Sequence, residues 1–223
     1  KKYKIPIIED AAQAIGSKYK AKFAGTFGEI GCFSAHPLKN LNAIGDSGYL
    51  TTNSSKIANY IKDIRNHGMT NRNKVKNFGY VSRMDNLQAA VLNFRLRNLK
   101  KIVKKRRENV KTYLKFLNKK KDVFIPLEKL SEYNTYHTFV IQVAKRDKLR
   151  KYLLKNGVET SIHYPIPIHL QPASRSLGYK RGDFPITEGQ SKKILSLPIH
   201  QDLKKSEILH ISRTIADFFN YKK

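Results

Sequence analysis

Glu9-Asp10, Gln13, Ser34 and Lys39 are the residues whose types and spacing could do chemistry. The two acids close a short apolar run, Ile5 to Ile8. A carboxylate at the carboxyl end of a parallel strand faces the crevice where α/β sheets bind ligands. Asp10 ahead of Ala11 is also a good helix N-cap, and taken alone that is the simpler reading. Ser34 ends a second strand-like run and can offer a hydroxyl to an anion. Lys39 follows five residues later, behind His36-Pro37. A lysine amine becomes a nucleophile only when neutral, which requires desolvation or a nearby cation. Lysine is abundant in this chain, yet Lys39 has no charged neighbour between Cys32 and Gly45. That spacing sets it apart from a solvated lysine on an amphipathic face and suits covalent chemistry at the amine.

The elements that must position these residues follow from periodicity. Ile5–Ile8 reads as a buried strand with acids at its carboxyl end. Residues 11–16 suit a short helix or turn closed by Gly16. Ile30–Ser34 and Tyr49–Thr52 are further strands, and Gly45 and Gly48 let the loop before the second turn tightly. Asn53–Asn66 predicts a helix, with Ile57, Tyr60, Ile61 and Ile64 on one face, Asn53 or Ser54 as cap and Gly68 beyond the end. Residues 69–83 are polar and turn-like. A long helical segment follows, with capping-box spacing at Asp85 and Gln88. Its apolar positions run through Leu87, Val91, Phe94, Leu99, Val103, Val110, Tyr113 and Leu117, with a bend near residues 98–101. Further on, Val123–Pro126, Thr138–Ala144 and Val158–Ile162 read as strands. Asp147–Asn156, Thr187–Leu195 and Lys205–Asn220 read as helices, and the proline-rich run HYPIPIHLQP fits no regular element. Strands alternating with helices, then a change of rhythm, predict an α/β domain ending near residue 97 and a smaller α+β domain over residues 98–223.

The chain has 223 residues, 40% of them hydrophobic, so a packed core is feasible and disorder is not expected. Lys and Arg number 44 against 17 Asp and Glu, a formal charge of +27. That charge invites a nucleic-acid reading. The basic residues are nonetheless dispersed, and the densest cluster, KKIVKKRR from Lys100 to Arg107, lies in a helical pattern with no zinc-ligand set or aromatic recognition motif beside it. A solvated surface is the better account, and neither a nucleic-acid partner nor a metal is expected. A single cysteine, Cys32, excludes an intrachain disulfide, suits a reducing, cytoplasmic setting, and reads as a small core residue. No apolar run approaches the ~20 residues that span a bilayer, so no membrane partner is expected. Lys1 to Lys4 do not start a signal peptide. The opening on a strand-like run without Met reads as the middle and end of something longer.

The stretch PIIEDAAQAIGSKYKAKFAGTFGEIGCFSAHPLKNLNAIGDSGYLTTN resembles the DegT/DnrJ/EryC1/StrS family of sugar aminotransferases. The likeness continues through IRNHGM, GYVSRMDNLQAAVLNFRL, IHYPIPIHLQP and LGYKRGDFPITE to ILSLPIH, in order along nearly the whole chain. The EDAAQ element and the S-x-x-P-x-K-N element together make it specific. The resemblance implies the carboxyl-terminal part of an aspartate-aminotransferase-like (fold type I) large domain, residues 1–97, followed by the small α+β domain, and pyridoxal 5'-phosphate as cofactor. By the resemblance, Lys39 is the Schiff-base lysine and the proton carrier of the reaction. Asp10 pairs with the pyridine nitrogen, which keeps the ring an electron sink. Gln13 lies near the cofactor's 3-hydroxyl, Ser34 binds its phosphate, and His163 and Tyr164 belong to the sugar-nucleotide site. Lysine rather than histidine at position 39 implies an aminotransferase and not a dehydratase. The implied partners are a nucleotide-linked keto-deoxy sugar, glutamate with 2-oxoglutarate, and a second copy in a homodimer. The implied product is an amino sugar for a surface polysaccharide such as lipopolysaccharide.

The sequence departs from the family pattern in three places. A long amino-terminal portion of the family, with its Gly-Thr phosphate loop, has no counterpart here. In the run Gly79-Tyr80-Val81-Ser82-Arg83, Val81 replaces the Asn that reaches the partner subunit's cofactor, leaving Ser82 or Arg83 to substitute. Ala35 stands where an aromatic is common, and Ser47 where glycine is frequent. These departures motivate a second reading, a degenerate non-catalytic member of the fold. The charge motivates a third, a nucleic-acid-binding protein. His67 is expected to anchor a loop, and His137 and His169 receive no role.

Overall fold

The computed structural model describes residues 3–118 and 120–220. In chain order it contains β1 (Ile8–Asp10), β2 (Lys18–Tyr19), β3 (Lys22–Phe23), β4 (Ile30–Ser34), β5 (Gly48–Thr51), α1 (Ser55–Ile64), β6 (Met69–Asn71), β7 (Lys74–Val75), α2 (Asn86–Leu96) and α3 (Leu99–Leu117). There follow β8 (Val123–Phe124), β9 (Glu132–Tyr133), β10 (Phe139–Val143), α4 (Arg146–Lys155), two 3-10 turns at Ile168–Leu170 and Pro172–Leu177, α5 (Pro185–Ser191), β11 (Ile194–Leu197) and α6 (Lys205–Phe218). They form two compact units, Lys1–Lys104 with Glu128–His137, and Lys105–Leu127 with Thr138–Lys223.

In the first unit β1 runs parallel to β4, with Asp10 opposite Cys32, and β5 runs antiparallel to β4, with Gly48 opposite Ser34. The strand predicted over Ile5–Ile8 lies instead at Ile8–Asp10, and Ile5, Ile7 and Ile8 are 71, 56 and 65% exposed. β1 pairs with β4 on one edge only, and none of the described residues covers the isoleucines. Residues 11–16 resolve into successive turns rather than a helix, with Ala14 N–H on Ala11 O, Ser17 N–H on Ala14 O, and Gly16 at φ 79°. Gly31 meets backbone on its open face: a Cβ there would lie 2.3 Å from the Gly25 carbonyl oxygen. The predicted α1 forms, and the Ser54 hydroxyl caps it by accepting the Ile57 N–H. The segment expected to be irregular, residues 69–83, carries the small hairpin β6–β7. His67 sits at φ 60° with its N–H on Tyr80 O, a loop anchor as expected.

The expected bend in the long helix is a break between Leu96 and Leu99. Asp85 stands at the α2 N-cap without a side-chain bond, and Gln88, the other member of the expected capping box, instead accepts the Ile44 N–H. The helix inserts Leu92, not the predicted Leu87 and Phe94, into a core with Ala35, Leu41, Ala43, Leu99 and Val103. Leu87 and Phe94 stay on an open apolar face.

The second unit is built on the antiparallel sheet β11-β10-β8. Alternation along β10 buries Phe139, Ile141 and Val143. α3 contributes Val110, Tyr113 and Leu117, α4 Leu149 and Leu153, and α6 Ile208, Ile211 and Ile215. Gly157, at φ 75°, ends α4 in the left-handed conformation that a side chain would disfavour. Two expectations fail here. Thr187–Leu195 is α5 followed by a strand, because Ile194–Leu197 pairs with β10. A short apolar run cannot be assigned to helix or strand by periodicity alone. The strand expected at Val158–Ile162 reduces to one bridge, Ser161 with Ser196, before the chain enters its proline run.

Candidate active site

Residues in register across a sheet share a face, and so do residues two apart on one strand. Asp10 is paired with Cys32, and Ser34 lies two residues beyond, so Asp10 and Ser34 project from the same face at the carboxyl end of the β1–β4 pair. Both strand ends point to the edge where open α/β sheets hold ligands. Gly48 opposite Ser34 adds no side chain there. Gln13 lies exposed in the turn after Asp10.

The acids Glu9 and Asp10 have separate tasks. Glu9 accepts the N–H groups of Gly25 at 2.8 Å, Gly28 at 2.7 Å and Phe27, tying the 25–28 loop to β1. Burial pushes its carboxyl up, but these three donors and Lys22 together hold it below the usual carboxylate range. Asp10 makes one local turn bond, from Ala12 N–H at 3.1 Å, and its remaining acceptor capacity faces outward. Cys32, expected in the core, is half-buried on β4.

Lys39 is carried by the loop between β4 and β5, and the loop is closed on itself. Ala35 donates to Ser47 O and Ala43 to Ala35 O, both at 2.8 Å. Lys39 N–H reaches His36 O at 2.8 Å and Asn42 Nδ2 reaches Pro37 O at 2.6 Å. Asn40 is buried and donates to Thr135 O at 3.0 Å, while its Oδ1 has no partner. Arg95 from α2 grips Asn42 O at 2.8 Å. Alanine at position 35 is fully buried in this packing, so no aromatic is accommodated there. Lys39 therefore extends, half-buried, from a loop whose backbone is fixed on both sides. Ser34 Oγ accepts the His36 N–H at 3.3 Å and keeps its own O–H to donate.

A carboxylate for a cationic ring nitrogen, a hydroxyl for an anionic group and a primary amine for a carbonyl thus sit on or beside one sheet edge. This donor set fits pyridoxal phosphate. Val81 bridges Asn66 and is 66% exposed. Arg83 is exposed as well, with one long contact from Nη1 to Asn66 Oδ1 at 3.4 Å.

His163 and Tyr164 lie in the second unit, at the mouth of a cavity of about 570 Å³. Ile166, Pro167 and Ile168 line one wall, and Thr187, Gln190 and Ser191 of α5 another. His163 Nδ1 is 2.7 Å from Ser196 Oγ on β11. Tyr164 is 73% exposed and takes φ 62°, a conformation few non-glycine residues adopt. Sequence reasoning missed His169 and Glu188. Both are buried, and His169 Nε2 lies 3.0 Å from Glu188 Oε1. No spacing rule links residues this far apart, but a histidine inside a proline-rich run was a signal left unused. Among the described residues no cluster of ligating side chains could hold a metal, and no helix is long and apolar enough to cross a membrane.

The fold is that of the fold type I sugar aminotransferases, and similarity to known proteins agrees. The chain matches the DegT/DnrJ/EryC1/StrS aminotransferase family over residues 1–216 and belongs to it. It is 38% identical to a pleiotropic regulatory protein of Geobacillus stearothermophilus, over 99% of this chain and 60% of the relative. It is 32% identical to a dTDP-3-amino-3,4,6-trideoxy-alpha-D-glucose transaminase of Streptomyces venezuelae, over 95% of this chain and 56% of that one. The structure of S. venezuelae DesV, in complex with a ketimine intermediate, superposes with a TM-score of 0.95 at 31% identity, covering all of this chain and 60% of DesV. The chain therefore spans about 60% of the length of these relatives.

Proposed function

We propose that the full-length protein is a pyridoxal-phosphate aminotransferase that moves an amino group from glutamate to a nucleotide-linked keto-deoxy sugar. The product is an amino-deoxy sugar for surface polysaccharide, lipopolysaccharide included. The observation that carries this reading is Lys39 on an anchored loop beside the sheet edge that presents Asp10 and Ser34. Pyridoxal phosphate, when bound, supplies the carbonyl for imine chemistry and a ring that delocalises a carbanion. Lys39 Nζ is the amine that holds the group and accepts and returns a proton at the reacting carbon. The Asp10 carboxylate keeps the ring nitrogen protonated, the Ser34 hydroxyl donates to a phosphate oxygen, and Gln13 borders the 3-hydroxyl. His163 and Tyr164, beside the apolar cavity of the second unit, receive the sugar nucleotide.

The reading includes a homodimer, as for the family. The exposed apolar residues Phe78, Tyr80, Val81, Leu87 and Phe94 of the first unit support it, since monomers rarely expose such a set to water. The lone cysteine suits a cytoplasmic enzyme. In the test, full-length protein is purified and examined for the visible absorption of a lysine-bound pyridoxal imine. Glutamate-dependent amination of UDP- and dTDP-linked keto sugars is then assayed. Both signals are expected in the wild type, and Lys39→Ala is expected to lose the first and at least 10³-fold of the second. A wild type that binds no cofactor and transfers no amino group overturns the reading.

A further inference from the structure

We propose that the buried His169–Glu188 pair is a positioning device that joins the two walls of the second unit's cavity and so sets His163 and Tyr164 for the nucleotide sugar. The inference rests on the function proposed above. The loop carrying His163 and Tyr164 is too rich in proline for a hydrogen-bond ladder, and isolated backbone and side-chain bonds hold it. At its start, Ser161 bridges Ser196 and His163 bonds Ser196 Oγ. At its end, Ser174 Oγ reaches Ile168 O at 2.7 Å. Between them His169 turns inward while its neighbour Ile168 stays 80% exposed and lines the cavity with Ile166 and Pro167.

The opposite wall is α5, with Thr187, Gln190 and Ser191 toward the cavity and Glu188 buried. Glu188 Oε1 accepts the Gly182 N–H at 2.8 Å as well as His169. The Gly182 donor and the His169 bond hold its carboxyl below the usual range, so it is an acceptor only. His169 must therefore donate from Nε2, which fixes how that nitrogen is protonated. Phe184 packs on the imidazole with ring centres 4.7 Å apart, and Tyr179 packs on Phe184 at 5.1 Å. The hydrogen bond thus fixes the ring's reach and the aromatic contact its tilt. Cutting the bond leaves a buried polar group without this partner, and the loop wall can escape that state by swinging away from α5. Neither residue lines the cavity, so the pair acts through the loop rather than on the ligand.

The test uses full-length enzyme and measures two things apart: the glutamate half-reaction with the cofactor imine spectrum, and the affinity and KM for the nucleotide sugar. The calorimetric probe is whichever of UDP-N-acetylglucosamine and dTDP-glucose binds the wild type, and binding of neither overturns the proposal. Glu188→Ala is expected to weaken probe binding and raise the sugar KM about tenfold or more, with the half-reaction within about twofold of wild type. Glu188→Gln, which keeps the acceptor oxygen in place, is expected to recover most of the loss. Should Glu188→Ala not fold, Glu188→Asp carries the same test, because the shortened side chain cannot span the 3.0 Å contact from its backbone position. Unchanged probe affinity in the folded variant overturns the inference, and so does a half-reaction that falls in parallel. A wild type without imine absorption or amino transfer instead defeats the function reading, which keeps the two failures distinct.

Discussion

Glu9 and Asp10 are adjacent acids with opposite fates, and backbone geometry decides which is which. Neighbouring residues on a strand face opposite ways, so only one can look at the ligand edge. Glu9 looks at the 25–28 loop and binds three N–H groups there. Glu9→Gln puts an amide donor against a backbone donor and is expected to cost about 1–3 kcal/mol in denaturant unfolding. The pH dependence has a definite sign. The folded carboxyl sits below its ordinary value of 4.5, so the unfolded chain binds more protons in mild acid. The stabilisation is complete above that value and is lost as pH falls through the folded one. Wild-type stability is expected to fall as the pH drops below about 5, and the fall to be shallower in Glu9→Gln. Parallel pH profiles in the two proteins count against it. The lack of charged neighbours sets Lys39 apart in so basic a chain, but the role proposed for it comes from the family resemblance. The division of labour between Glu9 and Asp10 was not legible, because the partners of Glu9 lie 16 to 19 residues further on.

At the level of elements, α3 shows how a basic helix can be structural. Arg106, Asn109 and Tyr113 share one face by their spacing of three and four. Arg106 Nη1 donates to Ile199 O at 2.8 Å, Asn109 Nδ2 to His200 O at 2.7 Å and Tyr113 OH to Pro198 O at 3.0 Å. These bonds satisfy the carbonyls of the segment that leaves β11 and cannot continue as a strand past Pro198. Arg106 is 7% exposed, so one cation of the KKIVKKRR cluster is not part of a solvated face. Burial raises the Tyr113 phenol above its ordinary value, so it stays protonated and donating across the working pH range. Tyr113→Phe is expected to lose about 1 kcal/mol, and Asn109→Ala rather more because it also empties space in the core. Urea unfolding with unchanged m-values is the measurement, and a lowered m would instead mean altered compactness. Strong periodicity made α1, α4, α6 and β10 legible, with ends displaced by a residue or two. β11 was lost inside a helical reading because a run as short as Ile194–Leu197 looks alike in either geometry. The β6–β7 hairpin was lost because strands of three and two residues are too short to show a periodicity.

For the whole molecule the dominant fact is charge, 44 cations against 17 anions. The cations are spread along the chain, and on α3 the exposed lysines 100, 101, 104, 105, 111 and 115 lie on the one arc of the helix opposite its buried Val103, Val110 and Tyr113, as a solvated outer face requires. Dispersed like charges repel one another in the compact state more than in the expanded one. Surface pairs offset little of this: where Arg146 meets Asp147 at 2.7 Å, the carboxylate side chain is 73% exposed and the pair is worth little. Screening should therefore remove more repulsion than attraction. The Debye length falls from about 30 Å at 0.01 M salt to about 8 Å at 0.15 M, which is shorter than most separations between charges on a chain of this size. The Tm is expected to rise across that range by several degrees and then level off, the opposite of a fold held by surface ion pairs. Sodium chloride is the titrant, since sulfate would add preferential exclusion to screening. Affinity for labelled duplex DNA, followed over the same range, is expected to vanish before physiological salt, because scattered lysines contact few phosphates at once. A Tm that falls with salt would locate attractive charge networks the dispersed pattern does not suggest. Tight DNA binding that persists at 0.15 M would show that the cations converge on a common surface.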